Sequence, residues 1–334
     1  MSCRRLLAVF LVLAVVGVVA PVGAAGLRVG VVLSLGGLGD RSFNDAAYLG
    51  VQKLREIPGC QVDVLEPSDI EAIAAGLEFF CQRRCDLIIG VGLFANEPLR
   101  RVAQQYPQQS FALLDSVVTL PNVLSIIFNE EEGSFYAGAL AGLLTRTNRV
   151  GFLGGMKSPV VNGFERGYKR GVRFVNPQAE LVVRYAGETP EAFNSPKLGE
   201  TLGGEIAAEK ADIVYHAAGR TGMGLIQSAR RHGYLVIGVD SDQNAIVPGK
   251  IAASMVKRLD VAMDRAARLI MESRFKGCVL TLGLVDGGID LTLSKFNRAL
   301  FTPILQERLK EVEQFLLHPP ATTPDEPGAV ENPR

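Results

Sequence analysis

Apolar positions along the chain fall into short continuous runs separated by longer amphipathic stretches. The runs of strand length are Leu27–Leu33, Gln61–Leu65, Asp86–Val91, Phe111–Leu114 and Val123–Ile127, then Arg149–Leu153, Leu181–Tyr185, Asp212–His216 and Leu235–Val239. Ile251–Ser254 has the same character. Between most of them lie segments with helical periodicity. Ser42-Phe43-Asn44-Asp45 and Ser68-Asp69-Ile70-Glu71 read as capping boxes that open two of these helices. Uninterrupted apolar strands alternating with amphipathic helices predict an α/β protein with parallel sheets covered on both faces. That many strands exceed one compact sheet with short loops, so two doubly wound lobes are expected. Crossovers between them are placed near Phe128–Glu130, Asn244–Lys250 and Lys276–Leu280. This makes 26–128 plus 246–276 one lobe and 129–245 plus 277–317 the other. The stretch 318–334 holds five Pro and no apolar periodicity, and is expected to be disordered.

The start of the chain has a different pattern. Arg4 and Arg5 precede the apolar run Leu6–Ala20, Pro21 breaks it, and Val22-Gly23-Ala24 places small residues at a cleavage site. A membrane span needs about 20 apolar residues, more than this run supplies. A signal peptide cleaved near Ala24 and a periplasmic mature protein are therefore expected. No Cys follows the apolar run, so no lipoprotein signal is expected. The whole chain carries 35 Lys+Arg and 35 Asp+Glu, and removing Arg4 and Arg5 leaves 33 against 35, or −2. Such a balance disfavours a nucleic-acid partner, which calls for a basic excess.

Cys60, Cys81, Cys85 and Cys278 remain after cleavage. An oxidising compartment permits a disulfide among them, with three possible connectivities. With three His in all and no paired CxxC, a metal site is disfavoured, and neither metal nor cofactor is expected. Trp is absent and aromatics make up 7% of residues, so any stacking surface must come from Phe and Tyr.

In open parallel sheets, ligands bind beyond the carboxyl ends of the strands. Glycine, carboxylate, amide and hydroxyl residues gather there. They are Gly36-Gly37-Leu38-Gly39-Asp40-Arg41-Ser42-Phe43-Asn44, Gly92-Leu93-Phe94, Asp115, Gly154-Gly155-Met156, Gly219-Arg220-Thr221-Gly222 and Asp240-Ser241-Asp242-Gln243. The first loop lacks the spacing of a dinucleotide fingerprint and the G-K-[ST] of a P-loop. Its glycines are expected to let backbone approach a ligand. His216 reads as a buried, hydrogen-bonded histidine rather than a base, and no G-x-S-x-G elbow is present. Asp240 and Asp242 lack the second acidic cluster that a metal-dependent hydrolase would need.

Several longer motifs resemble the basic membrane protein (BMP) family. They are Gly36–Asn44, Glu130-Glu131-Glu132-Gly133-Ser134-Phe135, Gly151-Phe152-Leu153-Gly154-Gly155-Met156, Phe164-Glu165-Arg166-Gly167-Tyr168-Lys169-Arg170-Gly171, Ala217-Ala218-Gly219 and Ile237-Gly238-Val239-Asp240-Ser241-Asp242-Gln243. The resemblance runs in order from Leu27 to Leu291. It implies a type I periplasmic-binding fold and a non-enzymatic substrate-binding protein of an ABC importer, partnered with permease subunits. Similar members bind purine nucleosides. By that resemblance Phe43 and Phe193 would stack on the base with Asn44 beside them, Asp115 would read its edge, and Asp240 with Lys257 would hold the ribose. Asp40, Met156 and Gly219, in loops of the same edge, complete the expected ligand set. The protein is expected to act as a monomer. The alternative is a ligand-sensing receptor that signals to a membrane partner.

One residue departs from the family pattern, which has glycine where Arg220 stands. A positive φ at that position would make arginine cost about 1 kcal/mol. Between Gly219 and Gly222 its side chain is expected to point to solvent. Pointing into the cleft, it would favour a ligand with an anionic group.

Overall fold

The computed structural model describes residues 26–318. The expected signal segment 1–24 and all of the expected tail after His318 lie outside the described residues. Two sheets of six strands each form the frame. The first holds β1 (Arg28–Val32), β2 (Gln61–Leu65), β3 (Leu87–Val91), β4 (Phe111–Leu114), β5 (Val123–Phe128) and β11 (Cys278–Leu282). Their spatial order is β11-β5-β4-β3-β1-β2, and every pairing is parallel. The second holds β6 (Arg149–Met156), β7 (Glu180–Gly187), β8 (Ile213–Ala217), β9 (Leu235–Asp240), β10 (Ile251–Lys257) and β12 (Ile289–Leu293). Their order is β12-β10-β9-β8-β6-β7, parallel throughout except where the edge strand β12 runs against β10.

Helices cover the sheets. α1 (Phe43–Arg55), α2 (Ile70–Gln82), α3 (Asn96–Gln105) and α8 (Leu259–Met271) clothe the first. α4 (Glu130–Leu144), α5 (Pro159–Val175), α6 (Pro196–Ala208), α7 (Thr221–His232) and α9 (Pro303–Leu317) belong with the second. Burial on both faces explains the unbroken apolar runs: every residue of β3, β4 and β8 is buried. The Glu130–Phe135 and Phe164–Gly171 motifs form the contact between α4 and α5. A Cβ on Gly167 would lie 2.2 Å from the Glu131 carbonyl oxygen, and one on Gly171 would lie 1.9 Å from that of Phe135. These glycines let two helix backbones touch.

The sheets move two of the expected lobe boundaries. The crossover after Phe128 stands, but the second falls between Lys257 and Leu259 and the third between Leu282 and Ile289. β10 therefore belongs to the second lobe and β11 to the first, the reverse of the expected assignment. The reason is packing: β10 is buried along almost its whole length and must sit beside β9, so the polar segment 241–250 merely turns back into the same sheet. The edge strands β11 and β12 have alternating exposed positions and no continuous apolar run, so they escape a search for buried strands.

Two local expectations are also corrected. Ser42 does not cap α1 with its side chain; the Asp40 carboxylate accepts from the backbone N–H groups of Ser42, Asn44 and Asp45 instead. Asp69, not Ser68, caps α2 by accepting from the Ala72 N–H at 2.8 Å. The four cysteines among the described residues are free thiols. Cys81 and Cys85 lie in a hydrophobic cluster as small apolar residues, and burial pushes the Cys81 thiol up to about 12.

Candidate functional site

The carboxyl ends of both sheets face one cleft of about 790 Å³, counting its open mouth. Asp40, Phe43, Asn44 and Asp115 line it from the first lobe, and Phe193, Gly219, Asp240 and Lys257 from the second. Of the residues expected at the site, Met156 alone is not among those lining the cleft. It ends β6 half-buried, and Ser158 and Val161, at the start of α5, occupy the wall beyond it.

Two aspartates end strands in the same unusual backbone geometry. Asp115 follows β4 with φ 64°, and Asp240 ends β9 with φ 63°. Left-handed backbone is uncommon outside glycine, and such strained residues cluster at ligand sites. The turn aims each carboxylate across the cleft instead of along its sheet. Asp240 Oδ2 accepts a hydrogen bond from Ser42 Oγ at 2.6 Å, and Asp115 Oδ1 accepts from Lys257 Nζ at 2.6 Å. Both bonds join the lobes. So do Ser241 Oγ to the Ser42 carbonyl, Gln243 Nε2 to the Arg41 carbonyl and Arg220 Nη2 to the Leu38 carbonyl, each at 2.8 Å.

Lys257 is the least exposed charge in the cleft, at 2%. Its ammonium lies 4.9 Å from the ring centre of Phe164, 5.5 Å from that of Phe128 and 5.9 Å from that of Phe43. Burial pulls its pKa down, but Asp115, Glu130 and Asp240 outweigh that and leave it raised. Asp240 is pushed up to about 6 by burial, against the pull of Lys257 and Ser42. A single cation thus serves three acids inside a wall of phenyl rings.

The glycines of the first loop take left-handed backbone: Gly36, Gly37 and Gly39 have φ of 101°, 67° and 81°, and a Cβ on any of them would meet no protein atom closer than 3.0 Å. Positive φ is what the fold itself asks of these positions. Asp40 and Asn44 line the cleft, yet most of their polar capacity is used on the loop: Asn44 Oδ1 accepts from the Ser34 N–H and Nδ2 donates to Asp40. Phe193 packs over Gly155, where a Cβ would lie 2.3 Å from its ring, and meets Phe94 edge to face at 6.3 Å. Phe94, Phe164, Ser42 and Glu130 were not assigned in advance. Phe94, after the left-handed Gly92 that follows β3, and Ser42, in the glycine loop after β1, stand in strand-end segments; Phe164 and Glu130 do not.

Arg220 corrects its expectation. Its φ is −62°, because the left-handed turn belongs to Gly219 at φ 53°, so arginine carries no backbone strain there. The side chain lines the cleft rather than pointing to solvent. His216 is fully buried with Nε2 3.0 Å from Gln243 Oε1, and burial pulls it down to about 4. Gln243 donates through its own Nε2 to Arg41, which leaves its oxygen to accept from His216.

Glu130, at the start of α4, gives a pH prediction. Burial pushes it up to about 7, against the pull of Lys257, and Asp115 adds to the rise. A carboxyl whose folded pKa is raised stabilises fully below its unfolded value of about 4.5 and loses that contribution as pH rises through about 7. His216, lowered, works in the opposite sense: its contribution is present above 6.5 and lost toward 4. Comparing the parent with Glu130→Gln cancels the histidine. In urea unfolding the parent is expected to gain stability relative to the variant between pH 8 and pH 5. A difference that stays constant with pH would contradict the assignment.

Two lobes of this topology, closing on a cleft at their strand ends, define a solute-binding protein of the type I periplasmic class. The chain belongs to the Bmp family, described as ABC transporter substrate-binding protein PnrA-like, which it matches over residues 27–319. It is 31% identical over 312 residues to the CD4+ T-cell-stimulating antigen of Listeria monocytogenes, covering 86% of this chain and 84% of the relative. Basic membrane protein D of Borreliella burgdorferi is 27% identical, with 82% of each chain covered. Among solved structures, an ABC transporter solute-binding protein from Aeropyrum pernix superposes with a TM-score of 0.78 at 27% identity, over 87% of this chain and 91% of that one. The family is one of extracytoplasmic substrate-binding proteins, which implies a small-molecule ligand and a permease partner. Among the described residues no helix is long and apolar enough to cross a membrane. A Pyrococcus furiosus relative, 30% identical, is named a lipoprotein, which lends no support to the expected absence of a lipid anchor.

Proposed function

We propose that this protein captures a neutral purine nucleoside between its lobes and hands it, chemically unchanged, to the permease of an ABC importer. The observation that carries this reading is the pair Asp115 and Asp240, one from each lobe, turned into the cleft beside the buried Lys257. Asp240 keeps Oδ1 free to accept from sugar hydroxyls while Ser42 holds Oδ2. Asp115 keeps Oδ2 for a donor on the base edge. Phe43, Phe94, Phe164 and Phe193 supply flat apolar walls for a heterocycle. Charge favours a neutral ligand: the lining carries Asp40, Asp115 and Asp240 against Lys257 and Arg220. A phosphate would add to an existing excess of carboxylates.

Calorimetry with guanosine, inosine, uridine and ribose tests the reading. Guanosine and inosine are expected to bind, uridine weakly, ribose least. Incubation with inosine should release no free base. X-ray scattering is expected to show a monomer whose radius of gyration falls when guanosine is added. Absence of purine nucleoside binding would remove the proposal.

A further inference from the structure

Among the described residues, Arg220 is the one cation of the cleft wall that no carboxylate pairs. Its Nη2 donates to the Leu38 carbonyl at 2.8 Å, across the lobe boundary. Its Nε is enclosed and has no acceptor among the described residues. A buried guanidinium N–H without an acceptor is unfavourable, and native proteins leave few of them. The surroundings place the guanidinium. Gly219 makes the left-handed turn that starts α7, and a Cβ there would come within 3.0 Å of the Phe193 carbonyl oxygen. The turn sends Arg220 over the first loop, where Gly39 leaves ordinary van der Waals space beside Nη2. Next to this bond, Arg41 and Ser42 receive the interlobe hydrogen bonds from Gln243 and Ser241. Leu38, Arg41 and Ser42 thus form one seam, and Arg220 is its charged member.

We propose that Arg220 is a selectivity and closing residue. It ties the first loop to the second lobe and offers its remaining donors to an uncharged acceptor on the ligand, a hydroxyl, carbonyl or ring nitrogen. The ligand half of this proposal rests on the nucleoside reading; the closing half does not. An isolated guanidinium ordinarily attracts phosphate. Here the acceptor facing Nη2 is already a neutral carbonyl, Lys257 is held by Asp115, and Asp40 and Asp240 line the same space. A phosphoryl group reaching Arg220 would meet those carboxylates, and among the described residues no second unpaired cation lines the cleft. Arg220 therefore adds an interaction to the neutral nucleoside that its 5′-phosphate obtains only against repulsion.

The test uses the whole mature protein and the variants Arg220→Met, which keeps the apolar stem, and Arg220→Lys, which keeps the charge. Guanosine and guanosine 5′-monophosphate are titrated into each, and hydrogen exchange of residues 36–44 is followed without ligand. The parent is expected to bind guanosine at least tenfold more tightly than the monophosphate. Arg220→Met should bind guanosine at least tenfold more weakly, with Arg220→Lys between the two. Exchange in the first loop should quicken severalfold in Arg220→Met. Guanosine affinity within twofold of the parent would overturn the ligand role. So would a parent that prefers the monophosphate and loses that preference in the variant. Unchanged exchange would overturn the closing role. A parent that binds no guanosine removes the nucleoside reading together with the ligand half, while exchange still decides the closing half.

Discussion

Replacing Lys257 with Met is expected to lower the unfolding free energy by about 3–5 kcal/mol and to abolish nucleoside binding. That magnitude is typical of removing one partner of a buried ion pair. The ammonium is 2% exposed and hydrogen-bonded to Asp115, and the carboxylates of Glu130 and Asp240 raise its pKa. Without it, three acids share an enclosed space, and burial already raises two of them, Glu130 to about 7 and Asp240 to about 6. The loss should depend on pH in a defined sense. Glu130 and Asp240 lose their charge as pH falls, so the variant is expected to be less impaired at pH 5 than at pH 8. Urea unfolding of parent and variant at the two values measures this. The double variant Lys257→Met with Asp115→Leu should recover part of the stability, because an apolar pair can replace a buried ionic one. A single variant as stable as the parent would show that Lys257 is not the charge that holds the site together.

Asp240→Ala is also expected to lose binding, but to keep stability. Truncating one member of a buried charged hydrogen-bond set typically weakens binding by about 2–5 kcal/mol. At 1.4 kcal/mol per tenfold, this is a loss of roughly thirtyfold or more in guanosine affinity. Burial already disfavours the ionised form of this carboxyl in the folded protein, so removing it leaves no penalty like that of Lys257→Met. Ser42 loses an acceptor, but its hydroxyl can turn to solvent or ligand. The same raised pKa gives a pH dependence. Below about 6, Asp240 takes up a proton and can no longer accept from two hydroxyls, so guanosine affinity in the parent should fall as pH drops through that value. Calorimetry at pH 5 and pH 7.5 reads both effects. Affinity within twofold of the parent for Asp240→Ala would remove Asp240 from the ligand set.

Much of this architecture was legible in the chain because the forces involved are local or periodic. Buried parallel strands such as Leu87–Val91 and Phe111–Leu114 must be apolar at every position, and they read as such. The strand-end rule then pointed to Asp115, Gly219 and Asp240, since each follows an apolar run directly. Phe43, at the first position of α1, was marked by the glycine loop before it. The edge strands carried no comparable signal. β11 and β12 bury one side only, and without them the crossovers were drawn too early. Lys257 is marked only by the family resemblance, because nothing local reveals that β10 runs on to it between the lobes.

By itself the sequence determined the class of the fold, the edge at which ligands gather and most of the residues found there. Each of those follows from hydrophobic period and from the short range of turn chemistry. Only the tertiary structure decided how these residues divide their work. Asp40 and Asn44 spend their hydrogen bonds on the first loop, Asp115 pairs with a lysine 142 positions away, and Arg220 reaches a carbonyl 182 positions away. Hydrogen bonds and ion pairs act over a few ångströms of space, whatever the distance along the chain. Their partners are therefore set when the two lobes meet.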